Sequence, residues 1–313
     1  MIAIDERVAQ KVVVKLMGNR FEFTAIADRK IAKLAISASI VEVERIEGLL
    51  STYRENSQVN KINRCAGIKP VNVDGEVIDL ILRSLRVSYI TQGAFDITYG
   101  SIDKSLWNFD VNMTRLPDRK TALKSVGLIN YNNVMVDVEK STVMLKEKGM
   151  RIGFGGIGKG YAADRARKVM MAFGVKNGIV NAAGDLATWG MQDEGKPWTV
   201  GIANPNHKHQ AFSSLSISNM AIATSGNYEK YAVIDGKKYS HTIDPKTGLP
   251  VTGIKSVSII CPSAEMADAL TTPVMVMGLS VGLDLINQMN QVACVVIDDN
   301  DQVYTSNNIN LIY

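Results

Sequence analysis

The chain is poor in the residues that build metal and redox centres, with three cysteines and three histidines among 313 residues. Cys65, Cys261 and Cys294 form no CxxC pair, which argues against a zinc ribbon and a thioredoxin motif. Their odd number and wide spacing also argue against a disulfide framework and leave free thiols acting as small core residues. His207, His209 and His241 contain no HExxH pattern, so a histidine-built metal site of that type is excluded. Long apolar runs are missing too. The longest strongly apolar stretch without a charge, Ala269 to Leu283, falls short of the ~20 residues of a membrane-spanning helix. The first residues carry Asp5, Glu6, Arg7, Lys11 and Lys15, with no apolar segment or lipobox-like cysteine, so the expected location is cytoplasmic, with an exported form the alternative for a trimmed chain. An excess of one charge sign is absent as well: 35 Lys and Arg face 31 Asp and Glu, a net +4. That excess is too small and scattered to imply a nucleic-acid partner.

What is present is an ordinary globular composition, 46% hydrophobic and 21% charged, which excludes disorder. Alternation predicts strands over 11–16 and 20–27 with Gly18-Asn19 between them. Helical spacing of Ile31, Leu34, Ala35, Ala38, Ile46, Leu49 and Leu50 predicts a helix over 30–50. A second helix starts at Asp74, presents Leu82, Leu85 and Tyr89, and stops at Gly93. A short helix covers 118–126. Strands are expected at 134–138, 143–146 and 150–154, then, after a helix ending near Phe173, at 177–181, 198–203, 216–224 and 255–261. A hairpin at Asp235-Gly236, two helices within 263–290 and a hairpin at 298–301 complete the chain. Strands cluster as hairpins and helices come in blocks, which predicts an α+β fold with mainly antiparallel sheets and packed helices.

Three segments carry chemistry. The first is Gly153-Phe154-Gly155-Gly156-Ile157-Gly158-Lys159-Gly160, a strand, glycines and a helix start in the order that holds a phosphate. It overlays a dinucleotide fingerprint, with Asp185 as the acidic ribose partner, but the element order is not βαβ. It also overlays a P-loop, but Gly160 stands where the magnesium-binding Ser or Thr belongs. Tight helix–strand packing remains the plain alternative.

The second segment places Asp268 and Thr272 one helical turn apart among apolar residues, where a hard cation such as Mg²⁺ satisfies both. Asp268 bonding a loop and Thr272 bonding its own helix is the other reading. Pro273 follows and predicts a kink. In the third, Tyr239 to Gly248, His241 precedes an Asp244-Pro245 turn and suits general-base work or a structural role. His207 and His209 read as solvated loop residues.

The joint order of these segments resembles the ApbE family, the FAD:protein FMN transferases, over nearly the whole chain. The matching pieces are Met17-Gly18, Ser51-x-Tyr53, Ser57-x-Val59-x-x-Ile62-Asn63, Gly93-Ala94-Phe95-Asp96-Ile97-Thr98, the glycine loop through Asp164, and Gly184-Asp185. Trp198-x-Val200-Gly201-Ile202 with Pro205, Thr224-Ser225-Gly226-x-Tyr228, His241-x-Ile243-Asp244-Pro245-x-Thr247-Gly248 and Ala267-Asp268-Ala269-Leu270-x-Thr272 complete the series.

The resemblance implies a T-fold-like architecture and Mg²⁺-dependent transfer of FMN from FAD to a Ser or Thr hydroxyl of an acceptor protein, releasing AMP. It places the metal on Asp268, Thr272 and the Gly158 carbonyl. It places FAD against Met17, Tyr53, Phe95, Gly156, Lys159, Asp185, Ser225 and His241, and catalysis on His241, Asp244 and Lys159. The implied partner is a flavoprotein acceptor of the respiratory or fumarate-reductase-like kind. Because these positions run from Met17 to Thr272, residues 1–313 are expected to form a single domain, its active site between two interleaved subdomains. The chain departs from the family pattern at Gly153 and Asn227, where Asp is common, at Ala183, where Gly is common, and at Gly158, where Ala is usual. The lost carboxylates leave one or two metal ions open. FAD hydrolysis and FAD binding without catalysis are the competing readings.

Overall fold

The computed structural model describes residues 8–106, 115–192, 195–203, 211–226, 231–234 and 236–309. The chain begins with β1 (Val8–Leu16), β2 (Asn19–Ala27), α1 (Arg29–Leu50), α2 (Gln58–Arg64), β3 (Val71–Asn72) and α3 (Gly75–Ile90). After a 3₁₀ turn at Ile97–Ser101 come α4 (Arg119–Ser125), β4 (Val134–Asp137), β5 (Thr142–Leu145), α5 (Gly158–Ala172), β6 (Asn177–Ala182) and β7 (Asp185–Trp189). The rest is β8 (Trp198–Ala203), β9 (Ala211–Ile217), β10 (Ala221–Gly226), β11 (Tyr231–Ile234), β12 (Lys237–Ser240), β13 (Ile254–Cys261), α6 (Ala264–Met277), α7 (Leu279–Asn287), β14 (Ala293–Asp298) and β15 (Val303–Thr305).

The main sheet has eight strands in the order β1-β2-β6-β7-β10-β13-β14-β15. Every pairing in it is antiparallel, so the expected α+β class holds. Phe21, Phe23, Val180 and Ala187 on one face join α1, α3 and α5 in the largest apolar cluster. Farther along the sheet, α6 and α7 pack on β13 and β14. The β8–β9 hairpin covers other sheet residues, including Ile26, Ile222, Ile260 and Val295. No helix among the described residues is long and apolar enough to cross a membrane.

Several local expectations are corrected. The first turn is Met17-Gly18, with φ of 50° and 74°, and Asn19 pairs back with Leu16. The Asn19 side chain donates to Met17 O at 2.8 Å, so it closes the turn from inside the strand. In α1, Ile31 and Leu34 face solvent while Ala32, Ala35, Ile36 and Ser39 face inward. Small residues there let α5 approach until Ser39 Oγ donates to Ala166 O at 3.2 Å. Helix α3 likewise buries Val77, Ile78, Leu80, Ile81 and Ser84 and exposes Leu82 and Tyr89. Residues 216–224 are not one strand: Asn219, at φ 57°, divides β9 from β10. Helix α2 and strand β7 lie outside the expected elements, and α6 continues through Pro273 to Met277.

Residues 150–154 form no strand, although Met150 and Ile152 are fully buried. The Asn63 side chain stands in for the missing partner strand. Its Nδ2 donates to Ile152 O at 3.0 Å and its Oδ1 accepts from Ile152 N at 2.8 Å. One carboxamide thus satisfies both backbone groups of a buried residue.

Candidate active site

The glycine loop ends where α5 begins, and α5 crosses α6 at closest approach through Gly160. A Cβ on Gly160 would lie 2.0 Å from Ala264 O, so only glycine fits. This is why the P-loop hydroxyl position holds no hydroxyl. The Gly160 N–H donates to Asp268 Oδ2 at 3.1 Å, fixing that carboxylate against the first turn of α5.

Lys159 joins three elements. Its Nζ contacts Asp185 at the start of β7 and lies 3.2 Å from Asp268 Oδ1 on α6. Asp185 enters through the two-residue turn Ala183-Gly184, where Ala183 holds a left-handed φ of 56°. That conformation favours glycine, which accounts for the glycine common at this position of the pattern. Asp185 and Asp268 are 3% and 4% exposed, so two buried carboxylates share one ammonium. Burial, then the charge of Asp268, push the Asp185 carboxyl up to about 7 against the pull of Lys159. Burial works against the Lys159 charge, but the two carboxylates outweigh it and hold the ammonium protonated.

Donor chemistry fits a hard cation here: carboxylate oxygens in excess of positive charge, at a helix crossing. Thr272 lies one turn beyond Asp268 and is half-buried. The helix back-bond expected of Thr272 belongs to its neighbour: Thr271 Oγ1 donates to Asp268 O at 2.9 Å. The Thr271 hydroxyl therefore accepts from Ser225 Oγ, 2.8 Å away, which ties β10 to α6.

Met17 and Phe95 meet the glycine loop. The Met17 methyl lies 3.8 Å from the Cβ position of Gly158, and the Phe95 ring 3.5 Å from that of Gly156. Thr52 reaches 3.6 Å from the Cβ position of Gly153, which brings the 51–53 loop alongside. Tyr53 itself is 93% exposed, an uncovered ring beside the loop.

His241 stands exposed just beyond β12. Its segment is anchored on other parts of the chain: Ile243 N donates to Tyr99 Oη at 3.3 Å, and Gly248, at φ 71°, abuts Ala122 O. The Asp244 carboxylate accepts from Lys246 N at 2.8 Å and Thr247 Oγ1 at 2.9 Å, so it organises its own turn. The stretch from Phe95 to Ser101 brackets both parts. Ile97 O accepts from Gly153 N at 3.0 Å, and Ser101 Oγ exchanges bonds with Arg151 N and O. On the same stretch, Tyr99 receives the histidine segment.

Supporting residues without a role in the sequence reading are Asn63, Asp96 and Thr271. Asp96 Oδ1 accepts from Thr98 N at 2.7 Å and Thr98 Oγ1 at 2.6 Å, and its Oδ2 from Tyr131 N at 3.0 Å. A buried Asn in a short polar helix and an Asp-x-Thr cap are the signals that mark the first two. His207, His209, Asn227 and Tyr228 lie outside the described residues.

Comparison with known proteins gives one answer. The sequence model of the ApbE family matches residues 17–296. A Klebsiella pneumoniae (strain 342) protein named FAD:protein FMN transferase is 31% identical over 266 residues, covering 84% of this chain and 82% of its own. An Escherichia coli (strain K12) protein of the same name is 30% identical over 270 residues, covering 84% and 77%. The crystal structure of the ApbE protein from Thermotoga maritima MSB8 superposes with a TM-score of 0.85 at 30% identity, covering 96% and 97%. The flavin transferase ApbE from Vibrio cholerae gives 0.83 at 25% identity, covering 96% and 98%.

Proposed function

Because the chain belongs to the ApbE family, we propose that it is a FAD:protein FMN transferase that moves FMN onto a Ser or Thr hydroxyl of an acceptor flavoprotein and releases AMP. The observation that carries this reading is the meeting of Lys159, Asp185 and Asp268 behind the glycine loop, at the N-terminus of α5. That geometry supports a pyrophosphate site: backbone N–H groups and positive helix-end potential come from the loop, a full charge from Lys159.

Asp268, Thr272 and the Gly158 carbonyl would hold a divalent cation such as Mg²⁺. Bound there, it would neutralise charge on the pyrophosphate oxygens. Lys159 would bind the same anion and stabilise charge on the departing AMP. Met17, Phe95 and Gly156 would wall the dinucleotide, the exposed Tyr53 ring would offer it a stacking face, and Ser225 would line it from β10. In the transfer, the acceptor oxygen bonds to the FMN-side phosphorus as the bond to the bridging pyrophosphate oxygen breaks. AMP departs with that oxygen and its electron pair. His241 would take the hydroxyl proton, while Asp244 holds the turn that presents it.

The test is to incubate the protein with FAD, Mg²⁺ and a Ser/Thr acceptor peptide, and to follow AMP by chromatography and the peptide by mass. An FMN increment matched by AMP is expected. AMP and free FMN without the increment would convert the reading to hydrolysis. FAD binding without AMP would refute catalysis.

A further inference from the structure

Asp185 and Asp268 present two carboxylates to a single ammonium, and both are almost wholly buried, where an unbalanced charge is costly. Lys159 contacts both, lying 3.2 Å from the Asp268 oxygen that the Gly160 N–H leaves open. The carboxylates are fixed: Asp268 by that N–H, and Asp185 by the tight turn before β7. The lysine is the adjustable member, with a flexible stem and a side chain 27% exposed.

Resting on the reading that Asp268 holds a divalent cation, we propose that Lys159 is a displaceable counter-ion. In the free enzyme it occupies the carboxylate pair and competes with the cation. The pyrophosphate of FAD draws it away and so opens the site. An ammonium and a doubly charged ion beside one oxygen repel each other strongly where the shared carboxylates are this buried. The pyrophosphate lies at the N-terminus of α5, within reach of the same side chain, and gives the ammonium another anion to serve. The cation therefore binds weakly alone and tightly with FAD. By reciprocity, FAD binding gains from the cation by the same factor. Free FAD-less enzyme is thereby kept from holding a charged metal centre open to other phosphates.

The test uses the full chain and Mn²⁺ as a paramagnetic stand-in for Mg²⁺, titrated by electron paramagnetic resonance without and with FAD. Lys159→Gln should bind Mn²⁺ about tenfold or more tighter than wild type without FAD. Lys159→Arg, which keeps the charge, should stay weak. FAD should raise Mn²⁺ affinity in wild type by a larger factor than in Lys159→Gln. Unchanged or weaker Mn²⁺ binding by Lys159→Gln, with binding to wild type intact, overturns the counter-ion role alone. No Mn²⁺ binding by any form, with FAD or without, overturns the cation site and this role with it. The Gln variant leaves the carboxylates unbalanced, so folding is followed by circular dichroism. Folding only with Mg²⁺ present supports the proposal, because the cation then replaces the ammonium. A variant still unfolded at saturating Mg²⁺ counts against it.

Discussion

Gly160 and Asp268 meet twice across the crossing of α5 and α6. The glycine N–H donates to Oδ2 at 3.1 Å, and a Cβ on the glycine would sit 2.9 Å from the aspartate Cβ. Electrostatic placement of the carboxylate and steric closeness of the helices thus depend on the same missing side chain.

Gly160→Ala should therefore force the helices apart. Overpacking of this kind costs about 1–3 kcal/mol, and the backbone oxygen of Ala264 cannot turn aside as a flexible side chain would. Urea unfolding should show the loss, and Asp268 should lose its placement, with AMP release falling in parallel. Stability within about 0.5 kcal/mol of wild type, the usual span of a neutral surface change, would contradict the crossing described.

Asp268→Asn should leave the fold in place, since Lys159 retains Asp185, yet lower AMP release from FAD by about 10²-fold or more. Steady-state assays across a range of Mg²⁺ should show the defect persisting at saturation. Turnover equal to wild type would remove Asp268 from the metal assignment.

Asn63→Ala removes both bonds to buried Ile152. Leaving a buried backbone N–H and C=O unpaired costs about 1–3 kcal/mol each. Because Ile152 leads into the glycine loop, weaker FAD binding should accompany the lower melting temperature. Hydrogen exchange at the Ile152 amide is the direct measurement, and unchanged protection would refute the role.

His241→Ala should abolish transfer to an acceptor peptide while FAD affinity, read by flavin fluorescence, changes by less than about threefold, because the pyrophosphate is held elsewhere. Unchanged single-turnover transfer would exclude His241 as the base.

Acid stability should respond to Glu42 and Glu76. Bonds from Arg45 draw Glu42 below its ordinary 4.5. Burial pushes Glu76 up, but Arg45 and Tyr161 outweigh it and bring it below 4.5 as well. A lowered folded-state value means that the stabilisation is present above pH 4.5 and is lost as pH falls through the depressed values. Glu42→Gln with Glu76→Gln should flatten the acid limb of stability against pH. The effect will be modest, because both Arg45 and Arg165 are partly solvated. An unaltered slope would show that these pairs carry nothing.

Most helices and the glycine loop are visible in the sequence because their signals are local: apolar residues at helical spacing mark α1, and Asp74 stands at the N-cap of α3. Which face of α1 or α3 lies inward was not legible. Burial there is decided by partners far along the chain, and Ala32 and Ser39 are chosen for closeness to α5, not for hydrophobicity. Residues 150–154 read as a strand because apolar Met150, Ile152 and Phe154 alternate with Arg151 and Gly153, but the pairing partner is the side chain of Asn63, 89 positions away from Ile152. Lys159 and Asp268 are each visible as candidates. Their contact is not, because they stand 109 positions apart. Asp185 had only a weak reading as a ribose ligand, and its place beside Lys159 follows from the two-residue turn into β7.

That separation has a kinetic meaning. Contacts between distant positions carry a loop-closure cost that local ones do not, which slows their formation. On the ribosome, α6 and its Asp268 emerge after Lys159 and Asp185 have long been made, and β13 must be present for α6 to dock. A nascent or prematurely ended chain thus holds a glycine loop with no completed centre behind it. Under the proposed mechanism, unfinished molecules would then release no AMP from FAD.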